Sequence, residues 1–424
     1  MRACYSFIFY LLVPVIVLRL LWRSIKAPDY RNRWLERFAC YTQKFPQDVL
    51  WFHAVSVGEA EALFPLIKLI QSEYPEAKLL ITTTTPTGSA RVKAVLKESV
   101  EHVYLPYDLP DAIRRFMHCF KPRLAVIMET EIWPNLYASC GKNGIPLYVI
   151  NARLSEKSAR GYQKISQLVH PALAQVKLFA AQTLDDANRF VAIGADVEKV
   201  VTVGNIKFDV LIPQEIIDQG VALKNVLFAD RFTWICASTH KGEEKLCLAI
   251  YQELKQKIPE LILLIAPRHP ERFPDVIKLA CEQQKLNVVM RTSGASCHAE
   301  TDVYLLDTLG ELKMFYAAAN IAFIGGSIVP VGGHNVLEAA AVGIPAVFGP
   351  YMNNFKSIAK EIIQQEAAVQ VQNPEQLRNV ILSLYQDKNY RKSLGRKGKA
   401  FIEQNRGAIG RIFKLLEGEI QKAP

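Results

Sequence analysis

Two periodicities alternate along most of this chain. From Val49 onward, short apolar runs are separated by longer stretches whose apolar residues recur at helical spacing. The runs at 49–55, 78–84, 123–129, 146–151, 176–182 and 200–204 form one series. Those at 233–238, 261–267, 286–290, 320–326, 344–349 and 367–371 form a second. Short apolar strands spaced by helices predict buried parallel sheets with right-handed crossovers. Two such series predict an α/β chain of two doubly wound domains, with the boundary between Gly204 and Phe232. From Glu375 the pattern is helical and the charge basic around "RKSLGRKGK", with no internal repeat or low-complexity segment along the chain.

The N-terminus follows a different pattern. Tyr5 to Trp22 is apolar except for Ser6 and Arg19, at the short end of a bilayer-spanning length. Arg2 precedes the run, but no small-residue cleavage site follows it, so an uncleaved anchor is expected rather than a signal peptide. Arg23, Lys26, Arg31, Arg33 and Arg37 come next, against only Asp29 and Glu36. The positive-inside rule then puts the rest of the chain on the cytoplasmic side, with this stretch near anionic headgroups. The expected division is 1–28 for the anchor and basic segment, 29–210 for the first domain and 211–424 for the second with its basic helices.

Charge and cysteine usage narrow the partners. The formal net charge of +10 favours an anionic partner. No nucleic-acid motif accompanies it, which leaves a phosphorylated substrate or an acidic membrane face. The eight cysteines form no CxxC pair, which argues against a metal cluster or disulfide framework and fits a reducing compartment. No His, Cys and carboxylate cluster has metal-ligand spacing.

In open parallel sheets, ligands bind beyond the carboxyl ends of the strands, so the polar residues there are the ones to read for chemistry. In "WFHAVSVGEAEALF" a strand pattern ends at Gly58 and a helical one takes over near Ala60, with Glu59 at the junction. Glu59 is either a first-turn acid favoured by the helix dipole or a base at the mouth of the sheet. "VIMETEIWPN" ends a strand with Glu129 and Glu131 beside Trp133; a buried carboxylate there needs a partner or a catalytic duty. Lys207 in "GNIKFD" is a cation for the same region or a solvated lysine.

In the second series, Arg268 of "APRHPERF" follows a strand and suits a bidentate phosphate contact. "FIGGSIVPVGGHNVLEAAAVGIPAVFGP" carries Gly325, Gly326, Gly332 and Gly333 before a helix opening at His334 or Asn335. Amides of such a loop and a helix start suit an anion; the alternative is a turn that binds nothing. Asn335 is a cap for that helix, and Glu338 suits a ribose diol. Gly310 and Glu311 open another helix, an ordinary cap when taken alone.

Taken together, "HAVSVGEAEA", "METEIWPN", "NARLS", "GNIKFD", "APRHPERF" and the glycine segment, in this order after an N-terminal anchor, resemble the 3-deoxy-D-manno-octulosonic acid (Kdo) transferases. The resemblance implies a GT-B fold, two Rossmann-like domains facing a cleft. It implies an inverting glycosyltransferase that moves Kdo from CMP-Kdo to lipid IVA, the lipid A precursor, in lipopolysaccharide biosynthesis. No cofactor or metal is implied beyond the donor. Inner-membrane lipids are the surrounding partners and nucleic acid is not one; the implied location is the inner membrane, by a single-pass anchor with the catalytic part cytoplasmic.

The family's general base falls on Glu59, and its transition-state residues on Glu129 and Lys207. Its nucleotide contacts fall on Pro267 and Arg268, on Gly310, Glu311 and Leu312, and on Asn335, Val336, Leu337 and Glu338. Ala339 and Tyr351 depart from the family pattern, which often has Pro and His there. The competing readings are a GT-B enzyme using a UDP-sugar, of the lipid A disaccharide synthase type, and a non-catalytic, membrane-anchored nucleotide-sugar binding protein.

Overall fold

Most of the apolar runs become strands buried on both faces; those at 200–202, 288–290 and 369–370 are only partly covered. In the computed structural model, which describes residues 1–422, the first seven are β1 (Leu50–His53), β2 (Leu79–Thr83), β3 (Glu101–Tyr104), β4 (Leu124–Met128), β5 (Leu147–Ala152), β6 (Val176–Ala181) and β7 (Val200–Thr202). They form one parallel sheet in the order β3-β2-β1-β4-β5-β6-β7. Alternate residues feed opposite faces, as the pleat requires. Trp51, Ala125 and Ile127 pack with Phe116 and Phe120 on one side. Leu50, Phe52 and Val126 pack with Leu63 and Ile67 on the other. Parallel strands need helices on both faces, and so read as continuous apolar runs.

The second sheet comprises β8 (Phe232–Thr239), β9 (Leu261–Pro267), β10 (Val288–Met290), β11 (Val303–Leu305), β12 (Ile321–Ile324), β13 (Ala346–Phe348) and β14 (Val369–Gln370). Its parallel order is β10-β11-β9-β8-β12-β13-β14. The chain thus divides into two compact units, one from Met1 to Asp209 and one from Val210 to Asn405. In each, the order reverses beside the first strand: between β1 and β4, and between β8 and β12. Those are the topological switch points where ligands bind.

Three details differ from the sequence expectations. First, the tail from Arg406 belongs to the first unit rather than to the second. Asp209 accepts the Gly407 and Ile409 amides at the start of the helix Ala408–Ile420, whose Ile412 and Leu416 complete the core beneath Leu63 and Ile67. Basic residues upstream masked this apolar stripe. Second, β3 and β11 were not predicted: "EHVY" is half polar, and "VYL" is too short to show a period. Third, the helix after β1 begins at Val57, so Gly58 lies in its first turn rather than at a strand end.

The N-terminal helix Arg2–Lys26 belongs to the first unit. Its Ser6 hydroxyl bonds Asn135, its Tyr10 hydroxyl donates to Asp111, and Ser24 accepts from Arg31. Leu20 and Ser24 are buried, whereas Phe7, Leu11, Val15, Leu18, Trp22 and Ile25 are exposed, an apolar stripe at helical spacing. Among the described residues, this is the one helix long and apolar enough to cross a membrane.

Candidate active site

The first unit gathers its chemistry at the β1/β4 switch point. Ser56 caps the helix Val57–Glu73, accepting the Glu59 amide at 3.4 Å, and its hydroxyl donates to Glu59 Oε1 at 3.0 Å. The Val55 amide donates to Oε2 at 2.9 Å. This is a capping box in which the N3 carboxylate reaches back toward the cap. Glu59 is therefore the first-turn acid of one sequence reading, and the same position puts it at the sheet mouth required by the other.

The surroundings of Glu59 are unusual for a cap. Burial, and next the Glu129 carboxylate, push its carboxyl up to about 7, against the pull of the Val55 and Ser56 hydrogen bonds. Glu131 adds to the rise. Glu131 is itself raised, by burial first, despite accepting the Trp133 indole N–H at 3.0 Å.

Glu129 follows β4 with φ +56°, a left-handed conformation that non-glycine residues seldom adopt. Its amide still donates to Ile150 O at 3.0 Å. Lys207 Nζ stands 3.9 Å from Glu129 Oε1, carried by a short 3₁₀ turn at Ile206–Phe208. Asn151, buried and also left-handed, accepts the Ile206 amide and fixes that turn against the end of β5. Glu59, Glu129 and Lys207 are thus brought together from three distant segments.

In the second unit, Pro267 ends β9, and the Arg268 amide donates to Thr239 O at 3.0 Å, leaving the side chain exposed. The Arg268 charge acts on His240 and His334. Those two rings lie parallel with centroids 5.0 Å and Nε2 atoms 2.8 Å apart, and His269 packs edge-on against His240. Burial, then the His240 neighbour, lowers His334 to about 4; burial, then His269, lowers His240. Neutral rings allow one Nε2 to donate while the other accepts. Sequence reading gave this pair no role, since the two residues are far apart in the chain.

Gly310 has φ +90°, and Glu311 and Leu312 open the short helix Leu312–Ala318. The Glu311 carboxylate is occupied by Arg291, at 2.8 Å from Nη2, and by the Thr308 hydroxyl. The Arg291 bonds hold it below the usual carboxylate range. Asn335 Oδ1 accepts the Leu337 amide at 3.1 Å, Val336 and Leu337 are buried, and Glu338 lies in the first turn of Leu337–Val342.

The glycine loop departs from the anion-site expectation. Glu243, fully buried, accepts the amides of His240, Gly326, Ser327 and Ile328 at 2.7–3.1 Å. The Gly325 amide donates to Ala237 O, and those of Gly332 and Gly333 to Gly326 O. The loop's anion is the chain's own carboxylate. Glycine is required at 325 for closeness: a Cβ there would lie 2.4 Å from Ser238 O. The signal for Glu243 was the "GE" after β8, which repeats the "GE" after β1.

Two doubly wound parallel-sheet units in one chain are the architecture of the GT-B class. Residues 32–210 match the sequence model of 3-deoxy-D-manno-octulosonic-acid transferase (kdotransferase), and residues 230–401 match that of glycosyl transferases group 1. The chain is 37% identical to the 3-deoxy-D-manno-octulosonic acid transferase of Haemophilus influenzae over 99% of both chains. It is 34% identical to that of Bordetella pertussis, over 87% of this chain and 86% of the other. A UDP-GlcNAc 2-epimerase from Neisseria meningitidis, solved bound to UDP-GlcNAc, superposes with a TM-score of 0.56 at 14% identity, over 89% of this chain and 100% of that one; this likeness is one of fold. The chain belongs to the 3-deoxy-D-manno-octulosonic acid transferase family.

Proposed function

We propose that this chain transfers Kdo from CMP-Kdo to a hydroxyl of lipid IVA, with inversion and with Glu59 as the general base. In that reaction the acceptor oxygen bonds to the anomeric carbon of Kdo as the bond from that carbon to the CMP phosphate oxygen breaks. CMP leaves with the electron pair, and the acceptor proton passes to the Glu59 carboxylate. A base works best with a pKa near the working pH, and a carboxyl at about 7 meets that condition. This is the observation that carries the reading.

Glu129 and Lys207 have supporting roles. The Glu129 charge keeps Glu59 basic, and Lys207 offsets the negative charge gathered there, stabilising charge that moves in the transition state. On the donor side, the exposed Arg268 guanidinium is assigned to the CMP phosphate, beside Pro267. Gly310, Glu311 and Leu312, with Asn335, Val336, Leu337 and Glu338, are assigned to the rest of the nucleotide. Because the Glu311 side chain is engaged by Arg291, its contact is assigned to the backbone. The reaction needs no metal or cofactor in this scheme.

The N-terminal helix, apolar and followed by arginines, supports attachment to the inner membrane with the catalytic part cytoplasmic. Purified full-length protein incubated with lipid IVA and CMP-Kdo should give a product heavier by whole Kdo residues on mass spectrometry. Product from a UDP-sugar instead would favour the rival glycosyltransferase. No product from any donor would favour the binding protein.

A further inference from the structure

The N-terminal helix also forms one wall of a pocket of about 320 Å³, next to the carboxylate cluster. That volume is at the small end of ligand sites and suits one headgroup, not acyl chains. Arg19 and Arg23 line it from the helix and Arg37 from the segment after it, together with Val55, Glu131 and Trp133. Val55 is the residue whose amide holds Glu59 Oε2, so the pocket adjoins the proposed base directly.

The three arginines converge. All three act on the Tyr107 hydroxyl, which also lines the pocket, and Arg37 hydrogen-bonds it. Arg37 is only 5% exposed and lies 4.3 Å from the centre of the Tyr104 ring. Among the described residues, its Nε has no hydrogen-bond partner. A buried guanidinium with an unsatisfied donor suits an anionic acceptor. The carboxylates of the same pocket face other donors: Asp108 accepts the Asn135 and Leu136 amides, and Glu131 accepts the Trp133 indole.

We propose that this pocket is the subsite for a phosphate monoester carried by the acceptor amphiphile, and that the anchoring helix is therefore part of the active site. The inference rests on the acceptor reading above. A phosphate seated by Arg19, Arg23 and Arg37 orients the sugar hydroxyl toward Glu59. Its acyl chains remain in the hydrocarbon phase that the helix's exposed apolar stripe contacts.

The test uses the full chain and the double variant Arg19→Gln/Arg23→Gln, whose changed side chains are exposed on the helix. The acceptor KM should rise about tenfold or more, with kcat and the donor KM unchanged. With an acceptor stripped of its phosphates, wild type and variant should have equal KM. Inorganic phosphate should compete with acceptor in the wild type and much less in the variant, while flotation on phosphatidylglycerol vesicles should be equal for both. An unchanged acceptor KM, an equal penalty with the stripped acceptor, or a matching loss of vesicle binding would overturn the subsite; the last would make the arginines membrane contacts. Failure of the wild type to glycosylate lipid IVA would instead sink the acceptor reading, and calorimetry with inorganic phosphate on the same two proteins would still report on the pocket.

Discussion

Glu59 and Glu243 occupy matching places in the two units, yet the work proposed for the first is the opposite of the second's. Each follows a glycine, in the first turn of the helix after the strand at its switch point. Glu243 is fully buried and accepts four backbone amides, and so holds the glycine loop to β8. Glu59 accepts one amide and one hydroxyl, and burial, followed by the Glu129 and Glu131 carboxylates, keeps its proton affinity high. Position alone does not make a base. The number of donors aimed at the carboxylate, and the sign of the charges around it, decide between a strut and a proton acceptor.

That contrast can be broken at either end. The largest effect is expected from Glu59→Gln, which keeps the acceptor oxygen for the Val55 amide and removes the base. Turnover should fall by about 10²–10⁴-fold, with CMP-Kdo affinity by calorimetry unchanged. The same change should not cost stability. A carboxyl raised by burial binds its proton more tightly folded than unfolded, so wild-type stability is lost as pH rises from the ordinary carboxylate range through about 7. Glu59→Gln should therefore match or exceed the wild type in thermal denaturation at about pH 8.

Glu243→Ala is the reciprocal case. Four amides, two of them buried, lose their acceptor, which should cost on the order of 3–5 kcal/mol in denaturant unfolding. Ordinary stability with the turnover loss assigned to Glu59 would reverse the two roles.

Smaller changes should move Glu59 without removing it. In Glu129→Gln a neighbouring negative charge disappears, so the acidic limb of the pH–rate profile should shift below the wild-type position near pH 7. Ser56→Ala removes a hydrogen bond that favours the charged carboxylate, so the limb should shift upward, with loss of about 1 kcal/mol of stability from the missing cap.

Much of this was legible in the sequence because parallel sheets announce themselves. Strands covered on both faces are continuous apolar runs, and the polar residues that interrupt them at the carboxyl end are exposed to ligands by topology. Glu59, Glu129 and Lys207 could be singled out on that ground. Their meeting depends on sheet order and on Asn151 holding the Lys207 turn, which no local pattern encodes. The glycine segment misled for a related reason: flexible amides look available until the partner 83 residues upstream is seen to fill them. The arginine pocket was invisible because Arg19 and Arg23 read as the flank of an anchor, and only the packing of that helix on the first unit makes them a wall.

The central claim is that Glu59 titrates as the base, and the dependence of kcat/KM for the acceptor on pH, from about 5 to about 9, tests it in wild type and Glu59→Gln side by side. The wild-type rate should fall about tenfold per unit below pH 7, while the residual rate of the variant stays flat through the same range. A variant that keeps the wild-type limb would assign that proton to another group and remove Glu59 from the chemistry.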